Sequence, residues 1–209
     1  MIVTAVVRKP RRKLVQVYVD GEVALELGRE LALERDVCPG RTLSQGELYA
    51  LADEQARRAS LEAALRLLAY RPRSERELRD RLARKSFRRP IVNETVARMR
   101  ELGYLNDAEF ARFYADTQQA SRPRSQRIVR LELRRRGVAQ EVAEEATETI
   151  DDEEAAYRAA SRRVASLRRL EYQAFRERLG GFLTRRGFSY EVARRTVNRC
   201  WAEAGGADE

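Results

Sequence analysis

The sequence predicts a mainly α protein: tandem three-helix modules, three units, behind a small N-terminal region that contains a β-hairpin, the whole elongated. Three observations predict it. The first is a repeat about fifty residues long. Leu82, Leu133 and Leu183 stand 51 and then 50 positions apart, with Leu78, Val129 and Leu179 four residues before them. After each leucine come a base (Lys85, Arg136, Arg186), a small residue (Ser86, Gly137, Gly187) and an apolar one (Phe87, Val138, Phe188). The match runs on through Ile91, Val142 and Val192 to Met99, Ile150 and Cys200. Self-similarity of this period marks one supersecondary unit stacked several times, and stacked units present elongated surfaces suited to polymers. The second observation is composition. Charged residues make up 36% and aromatics 7% of 209 residues, which suits thin helical modules better than one thick core. The third is the regular punctuation of the chain after Ser60 by caps, glycines and prolines.

The N-terminal region reads as strand. Ile2–Val7 and Leu14–Val19 are apolar and rich in β-branched residues, separated by a basic break at Arg8–Lys13 that contains Pro10. After Asp20-Gly21, Val23, Leu25 and Leu27 alternate with Ala24 and Glu26. Asp-Gly between such runs predicts a two-residue hairpin, because that turn needs positive φ at both central residues. A sheet of two or three strands is marginal alone and must lean on helices. A short helix is expected over Glu30–Asp36, ended by Pro39-Gly40. Ser44 and Glu47 form a capping box that starts a helix through Arg57. Its continuation into Ser60–Ala69, where Leu61, Leu65 and Leu68 form a stripe, is left open.

Helices then follow in short runs. Arg71-Pro72 stops one, and Ser74 with Glu77 caps the next, through Arg84. Pro90 suits a first helical position, and Gly103 closes that helix. Asn106 with Glu109 caps another, Pro123 breaks it, and Ser125 caps the one after. Gly137 and Gly187 fall where a left-handed C-cap is expected, and the base before each suits a helix C-terminus. These repeated residues are read as fold-defining. If Ser86 takes positive φ, the penalty is under ~1 kcal/mol. The expected division is an N-terminal region over 1–59, modules over 60–106, 107–151 and 152–204, and a disordered tail over 205–209.

Composition also excludes. The two cysteines, Cys38 and Cys200, have no C-x-x-C spacing, and there is no histidine. A disulfide framework, a cysteine-rich zinc site, a His-based triad and imidazole acid–base chemistry are therefore absent. Neither a signal-peptide core at Met1–Val7 nor a membrane span is evident, so a cytoplasmic protein is expected. No Walker A sequence or glycine-rich dinucleotide loop occurs. No enzyme, cofactor or metal is expected, although carboxylate-only nuclease chemistry stays formally open.

The net charge of +9 points to an anionic partner, but only Lys9, Lys13 and Lys85 are lysines, as in a GC-rich coding bias. Position must decide between the two. In Glu75–Lys85, the pairs Glu75–Arg79, Glu77–Arg81 and Asp80–Arg84 fall at i,i+4, so that helix can neutralise itself. Arg122–Arg136 cannot: it carries seven arginines against Glu132 alone. Arg127, Arg130 and Arg134 share one helix face opposite Val129 and would repel each other without an anion nearby. Arg158, Arg162 and Arg163, then Arg168 and Arg169, read as a second basic helix, either functional or simply solvated. The acidic stretch Glu141–Glu154 argues against DNA wrapping the whole molecule and favours a partner of mixed charge. Expected binding residues are Arg122, Arg124, Arg127, Arg130, Arg134, Arg135, Arg158, Arg162 and Arg163. The aromatics read as mostly core, with Tyr70, Tyr157 and Tyr172 the exceptions and Trp201 packed in the third module.

The series resembles the RecX family, regulators of the bacterial recombinase RecA. The resemblance rests on Val17-Tyr18-Val19-Asp20-Gly21-Glu22, Gly40–Leu43, Arg71-Pro72-Arg73-Ser74-Glu75-Arg76-Glu77-Leu78 with Leu82, and Gly103-Tyr104-Leu105-Asn106-Asp107 with Phe110-Ala111. Glu132-Leu133-Arg134-Arg135-Arg136-Gly137-Val138 and Arg185-Arg186-Gly187-Phe188 complete it, in the family's order along nearly the whole chain. Ser86 and Ser125 depart from it, each standing where the family often has glycine. The resemblance implies a non-enzymatic, monomeric modulator that docks in the groove of the RecA–single-stranded DNA filament. By bridging subunits it would restrain ATP hydrolysis, strand exchange and co-protease activity toward LexA. The alternative is a basic helical-repeat DNA-binding protein that competes for single strands; such binding usually adds aromatic stacking and falls steeply with salt.

Overall fold

The computed structural model describes residues 1–10 and 13–205. Three strands, β1 (Val3–Arg8), β2 (Leu14–Val19) and β3 (Glu22–Gly28), form an antiparallel meander in that order. Val19 pairs with Glu22 across the expected two-residue turn, where Asp20 and Gly21 have φ of 50° and 93°. Part of the basic break, Arg11 and Arg12, lies outside the described residues, as does the expected disordered tail beyond Gly205. Ten helices follow among the described residues: α1 (Arg29–Glu34), α2 (Gln45–Tyr70), α3 (Glu75–Ala83), α4 (Arg89–Glu101), α5 (Asp107–Ser121), α6 (Gln126–Arg135), α7 (Gln140–Glu145), α8 (Asp152–Val164), α9 (Tyr172–Arg185) and α10 (Tyr190–Glu203). The protein is thus mainly α, with a small N-terminal sheet and recurring helix triplets.

The chain divides into two compact units, Met1–Tyr70 with Arg79–Leu102, and Arg71–Leu78 with Gly103–Glu209. In the first, the sheet leans on helices as its small size requires. Val3, Val17, Leu27, Leu31, Leu43, Leu48 and Leu51 bury together. The amide of Gly28 at the end of β3 donates to Gln55 Oε1 on α2 at 2.6 Å. The Ser44–Glu47 capping box forms reciprocally: the Ser44 amide donates to Glu47 Oε2 at 2.8 Å, and the Glu47 amide to Ser44 Oγ at 3.2 Å. From there α2 runs unbroken for 26 residues, straight through the expected junction at 59–60. Its later turns pack on α4, where the Thr95 hydroxyl donates to Ser60 Oγ at 2.8 Å in a buried setting.

In the second unit two helix triplets each bury their own core. Phe110, Ala111, Val129, Leu133 and Val138 fill α5–α7. Phe175, Leu179, Leu183, Phe188 and Val197 fill α8–α10 with four alanines of α8. The leucines and valines of the fifty-residue repeat are therefore core, as their spacing predicts.

The same unit contains one joint, made twice. At the start of α3, the Ser74 hydroxyl accepts from the Glu77 amide at 3.1 Å and donates to the carbonyl of Arg136 at 2.6 Å. At the start of α6, Ser125 caps Ile128 and its own amide donates to the carbonyl of Arg186 at 3.2 Å. The next amide in each case meets an aspartate that opens the following triplet: Glu75 to Asp107 at 2.8 Å, Gln126 to Asp152 at 2.7 Å. Helix starts otherwise left with orphan amides are so satisfied by the neighbouring repeat. Gly137 and Gly187 sit where these backbones meet, at φ of 88° and 89°. A Cβ on Gly137 would stand 2.5 Å from Arg76 Cβ; one on Gly187 would overlap Ile128 and lie 2.6 Å from Ser125 Oγ. Glycine is required there for close approach as well as for φ. Ser86 also has positive φ, 64°, but is exposed, so only the backbone penalty applies.

Two expectations need correction. Glu77 does not turn to Arg81 along its own helix; it pairs with Arg71 at 2.9 Å and with Arg136. Arg136 and Arg186 are more than C-terminal cations, because each reaches across the joint. Gly103, at φ of 74° with open space around it, isolates the backbone effect. Gly103→Ala is expected to lose about 1 kcal/mol in urea denaturation, and Gly187→Ala about 3 kcal/mol, since overlap adds to the φ strain. Equal losses would contradict the joint.

Candidate functional site

Basic side chains converge around the second joint. Pro123, in the link between α5 and α6, is flanked by Arg122 and Arg124. Arg186, one residue past α9, donates to the carbonyl of Pro123 at 2.9 Å, and its guanidinium lies 4.6 Å from the Phe182 ring centroid. Arg163 of α8 lies 5.5 Å from the same centroid. Arg162 donates to the carbonyls of Ser121 at 2.6 Å and Ala120 at 3.1 Å, completing the last turn of α5 from outside. Arg158 reaches Gln119 Oε1 at 3.2 Å and Glu154 at 3.9 Å. Pro123, Ala159, Arg162, Arg163, Phe182 and Arg186 line an open cleft of about 200 Å³. A second cleft of about 500 Å³ shares Arg163 and adds Arg178 and Arg185, with Glu177 the acid on its wall.

The electrostatics are one-sided. Burial lowers the Arg186 pKa from its ordinary value, and the charges of Arg124, Arg122, Arg162 and Arg163 lower it further. Among the described residues, Arg122, Arg162, Arg163 and Arg186 form no ion pair with a carboxylate. Glu132 is the exception nearby. It accepts from the Tyr114 hydroxyl at 2.7 Å and pairs with Arg124. Tyr114 in turn carries the Arg136 guanidinium 4.6 Å from its ring centroid. A polar chain therefore runs from Arg71 through Glu77, Arg136, Tyr114 and Glu132 to Arg124, from the first joint to the second.

The expected binding residues divide into two sets. Arg122, Arg124, Arg162 and Arg163 come together, with Arg158 beside them. Arg127, Arg130, Arg134 and Arg135 stay on α6 and point elsewhere. Arg130 Nε meets Thr147 Oγ1 at 3.4 Å, and Arg134 donates to Gln140 Oε1 at 2.7 Å, so this face is partly occupied by the acidic third helix of its own triplet and the turn that follows it. Arg127 lies near Asp152, whose pKa is raised by burial against the opposing pull of its hydrogen bond from Gln126. Arg168 and Arg169 do not extend α8, which ends at Val164. Sequence reasoning missed Arg186 and Phe182 as site residues. Their i,i+4 spacing across the end of α9 is the available signal, hidden because Arg186 also fits a helix cap.

The aromatics need a correction as well. Tyr70 is 84% exposed and Tyr172 39%, as expected, but Tyr49, Tyr104, Phe113 and Tyr190 are exposed too. Tyr157 is half-buried, held by Glu203 and stacked under Arg199. Trp201 packs on Phe175 and Tyr172, with ring centroids 5.2 and 5.3 Å apart. Among the described residues no His, Cys, Asp and Glu grouping is arranged to hold a metal ion, and no helix is long and apolar enough to cross a membrane.

Comparison with known proteins matches this architecture segment by segment. Models of the first, second and third three-helix domains of RecX match residues 61–99, 106–146 and 151–197. Regulatory protein RecX of Amycolatopsis mediterranei is 32% identical over 161 residues, 74% of this chain and 92% of that protein. Regulatory protein RecX of Listeria monocytogenes serotype 4a is 23% identical over 206 residues, 97% of this chain and 77% of that protein. A crystal structure of regulatory protein RecX superposes with a TM-score of 0.64 at 18% identity, covering 94% of this chain and 98% of the other. That of RecX from Lactobacillus salivarius gives 0.60 at 22% identity, over 72% and 98%. At these identities the two structures establish the fold alone.

Glu132 is the carboxylate that restrains the cluster from one side. Glu132→Gln keeps an acceptor for Tyr114 but releases Arg124 into uncompensated charge. It is expected to lower stability by about 1 kcal/mol at low salt, and by less as salt screens the repulsion. Denaturant melts at two ionic strengths measure this; a loss independent of salt would contradict it.

Proposed function

The chain belongs to the RecX family, and on that premise we propose that it is a negative modulator of RecA that docks in the groove of the RecA–single-stranded DNA filament. Bound there, it restrains ATP hydrolysis, strand exchange and co-protease activity toward LexA. Family membership supports the partner. The observation that carries the reading in this chain is the convergence of guanidiniums from successive helix triplets without matching carboxylates. Such a surface is completed by an anion-bearing partner that spans both triplets. The acidic third helix of the middle triplet lies on α6, so the molecule offers both signs of charge to a filament that also carries both. We place the protein in the cytoplasm as a non-enzymatic monomer, and keep the division into 1–59, 60–106, 107–151 and 152–204 as its working modules.

A second reading has support of its own. Exposed Tyr104, Phe113, Tyr172 and Tyr190 in the second unit provide aromatic faces, so competition for single strands has the stacking groups that such binding uses.

RecA ATP hydrolysis on single-stranded DNA, titrated with this protein at low and moderate salt, separates them. Filament docking predicts substoichiometric inhibition that survives moderate salt and weakens at least tenfold in Arg122→Glu/Arg163→Glu. Reversal of Arg127, Arg130 and Arg134 is expected to do less. Inhibition only at saturation of the strand, lost with salt, would mean competition. No inhibition in either condition would overturn the regulatory reading.

A further inference from the structure

We propose that the two clefts joined at Arg163 bind consecutive phosphodiesters of a nucleic-acid strand, held through backbone phosphates and not through bases. The proposal deepens the filament reading, on which it rests only for the source of the strand.

Charge density comes first. Arg162 and Arg163 of α8 and Arg186 at the end of α9 line the cleft at Pro123, and Arg122 adjoins that proline in the α5–α6 link, where its charge acts on Arg186. Like charges brought together by folding raise the free energy of the empty site, and a bound anion lowers it. Burial first, and then the same crowding, lower the Arg186 pKa. Ligand shape comes next. A carboxylate offers one flat pair of oxygens to one guanidinium fork. A phosphate offers oxygens in several directions, so forks arriving from different segments can share it. Here they line the cleft from two segments, with Arg122 beside it on a third.

Two features point to a polymer. The clefts share Arg163 on their walls, and the larger adds Arg178 and Arg185. A single free phosphate would leave one cleft unfilled; a chain of regularly spaced phosphates fills both. The Phe182 face is already taken by Arg163 and Arg186, so it is not a platform for a base. Binding here is therefore independent of sequence and carried by charge, with a steep salt dependence.

There is also a competition inside the site. Arg162 and Arg186 spend donors on the carbonyls of Ala120, Ser121 and Pro123. Arg122 and Arg163 hold no backbone group, so they are the arms free to engage a ligand without loosening the joint.

Fluorescence anisotropy of fluorescein-labelled oligo(dT)30 with the full chain, without RecA, tests this. Each lost phosphate contact on a single strand lowers the salt slope by about 0.7. Arg122→Gln/Arg163→Gln should flatten the slope of log K against log salt by about 1.4 and weaken binding at least tenfold at 50 mM salt. Arg122→Lys/Arg163→Lys keeps the charge and should keep most of the slope. A melting curve for each variant confirms folding. Inorganic tripolyphosphate should displace the oligonucleotide only at far higher concentration than unlabelled oligo(dT)30, since it fills one cleft. An unchanged slope in the Gln variant would overturn the proposal. So would displacement by poly-glutamate as effective as by oligo(dT)30, which would mark a site for an acidic protein, or by tripolyphosphate at equal concentration, which would mark a single-anion site. Because RecA is absent, failure here leaves the filament reading standing, and the converse holds.

Discussion

The close backbone approach at Gly137 and Gly187 is the constraint on which the second unit depends. At each point a helix start and a helix end from successive repeats meet with no room for a side chain. The approach lets a serine at one helix start reach the carbonyl of the base that precedes the glycine. It also lets an aspartate of the following triplet take the next amide. Orphan polar groups at four helix termini are satisfied in this way, in a chain whose small cores have little apolar area to spare. The repeat is therefore a repeat of joints as much as of helices.

The joint also decides where charge accumulates. Arg136 and Arg186 occupy equivalent positions, but their surroundings differ. Arg136 finds Glu77 and the ring of Tyr114, and its charge is absorbed. Arg186 finds Pro123, Phe182 and other guanidiniums, and its charge is not. One structural device thus yields a neutralised joint and a cationic one. The cationic joint is where the proposed partner would contribute what the fold withholds. Arg162 and Arg186 are held by carbonyls, and Arg163 and Arg186 by the Phe182 ring, so this part of the cluster is organised before any ligand arrives, which reduces the entropy lost on binding.

Much of the fold was legible because it is written locally. Asp20-Gly21 specifies the hairpin turn, Ser44–Glu47 the start of α2, and Asn106 and Ser125 later starts, each through bonds within a few residues. The spacing of Leu82, Leu133 and Leu183 announces the cores. The site was legible only in part. Helical geometry places Arg127, Arg130 and Arg134 on one face but does not say what meets it; Gln140 of α7 and Thr147 in the turn after it do, at Arg134 and Arg130. Arg186 looked like a cap because a cap and a cross-joint contact ask for the same residue in the same place. Contacts sixty residues apart, such as Arg186 with Pro123, have no local signature. The length of α2 is open in the sequence for a related reason: no proline, and no glycine beyond Gly46 in its first turn, interrupts it, and only packing against α4 shows that its second half belongs with the helices after it.

A double-mutant cycle at the second joint tests the central claim most directly. Unfolding free energies would be measured for Gly187→Ala, Ile128→Ala and the pair. If the glycine is required because backbones meet there, shortening Ile128 makes room for the added Cβ. The pair should then be more stable than the sum of single losses predicts, by more than about 1 kcal/mol. Losses that add to within about 0.5 kcal/mol would show that the two residues do not meet, and would contradict the account of how this protein holds its arginines together.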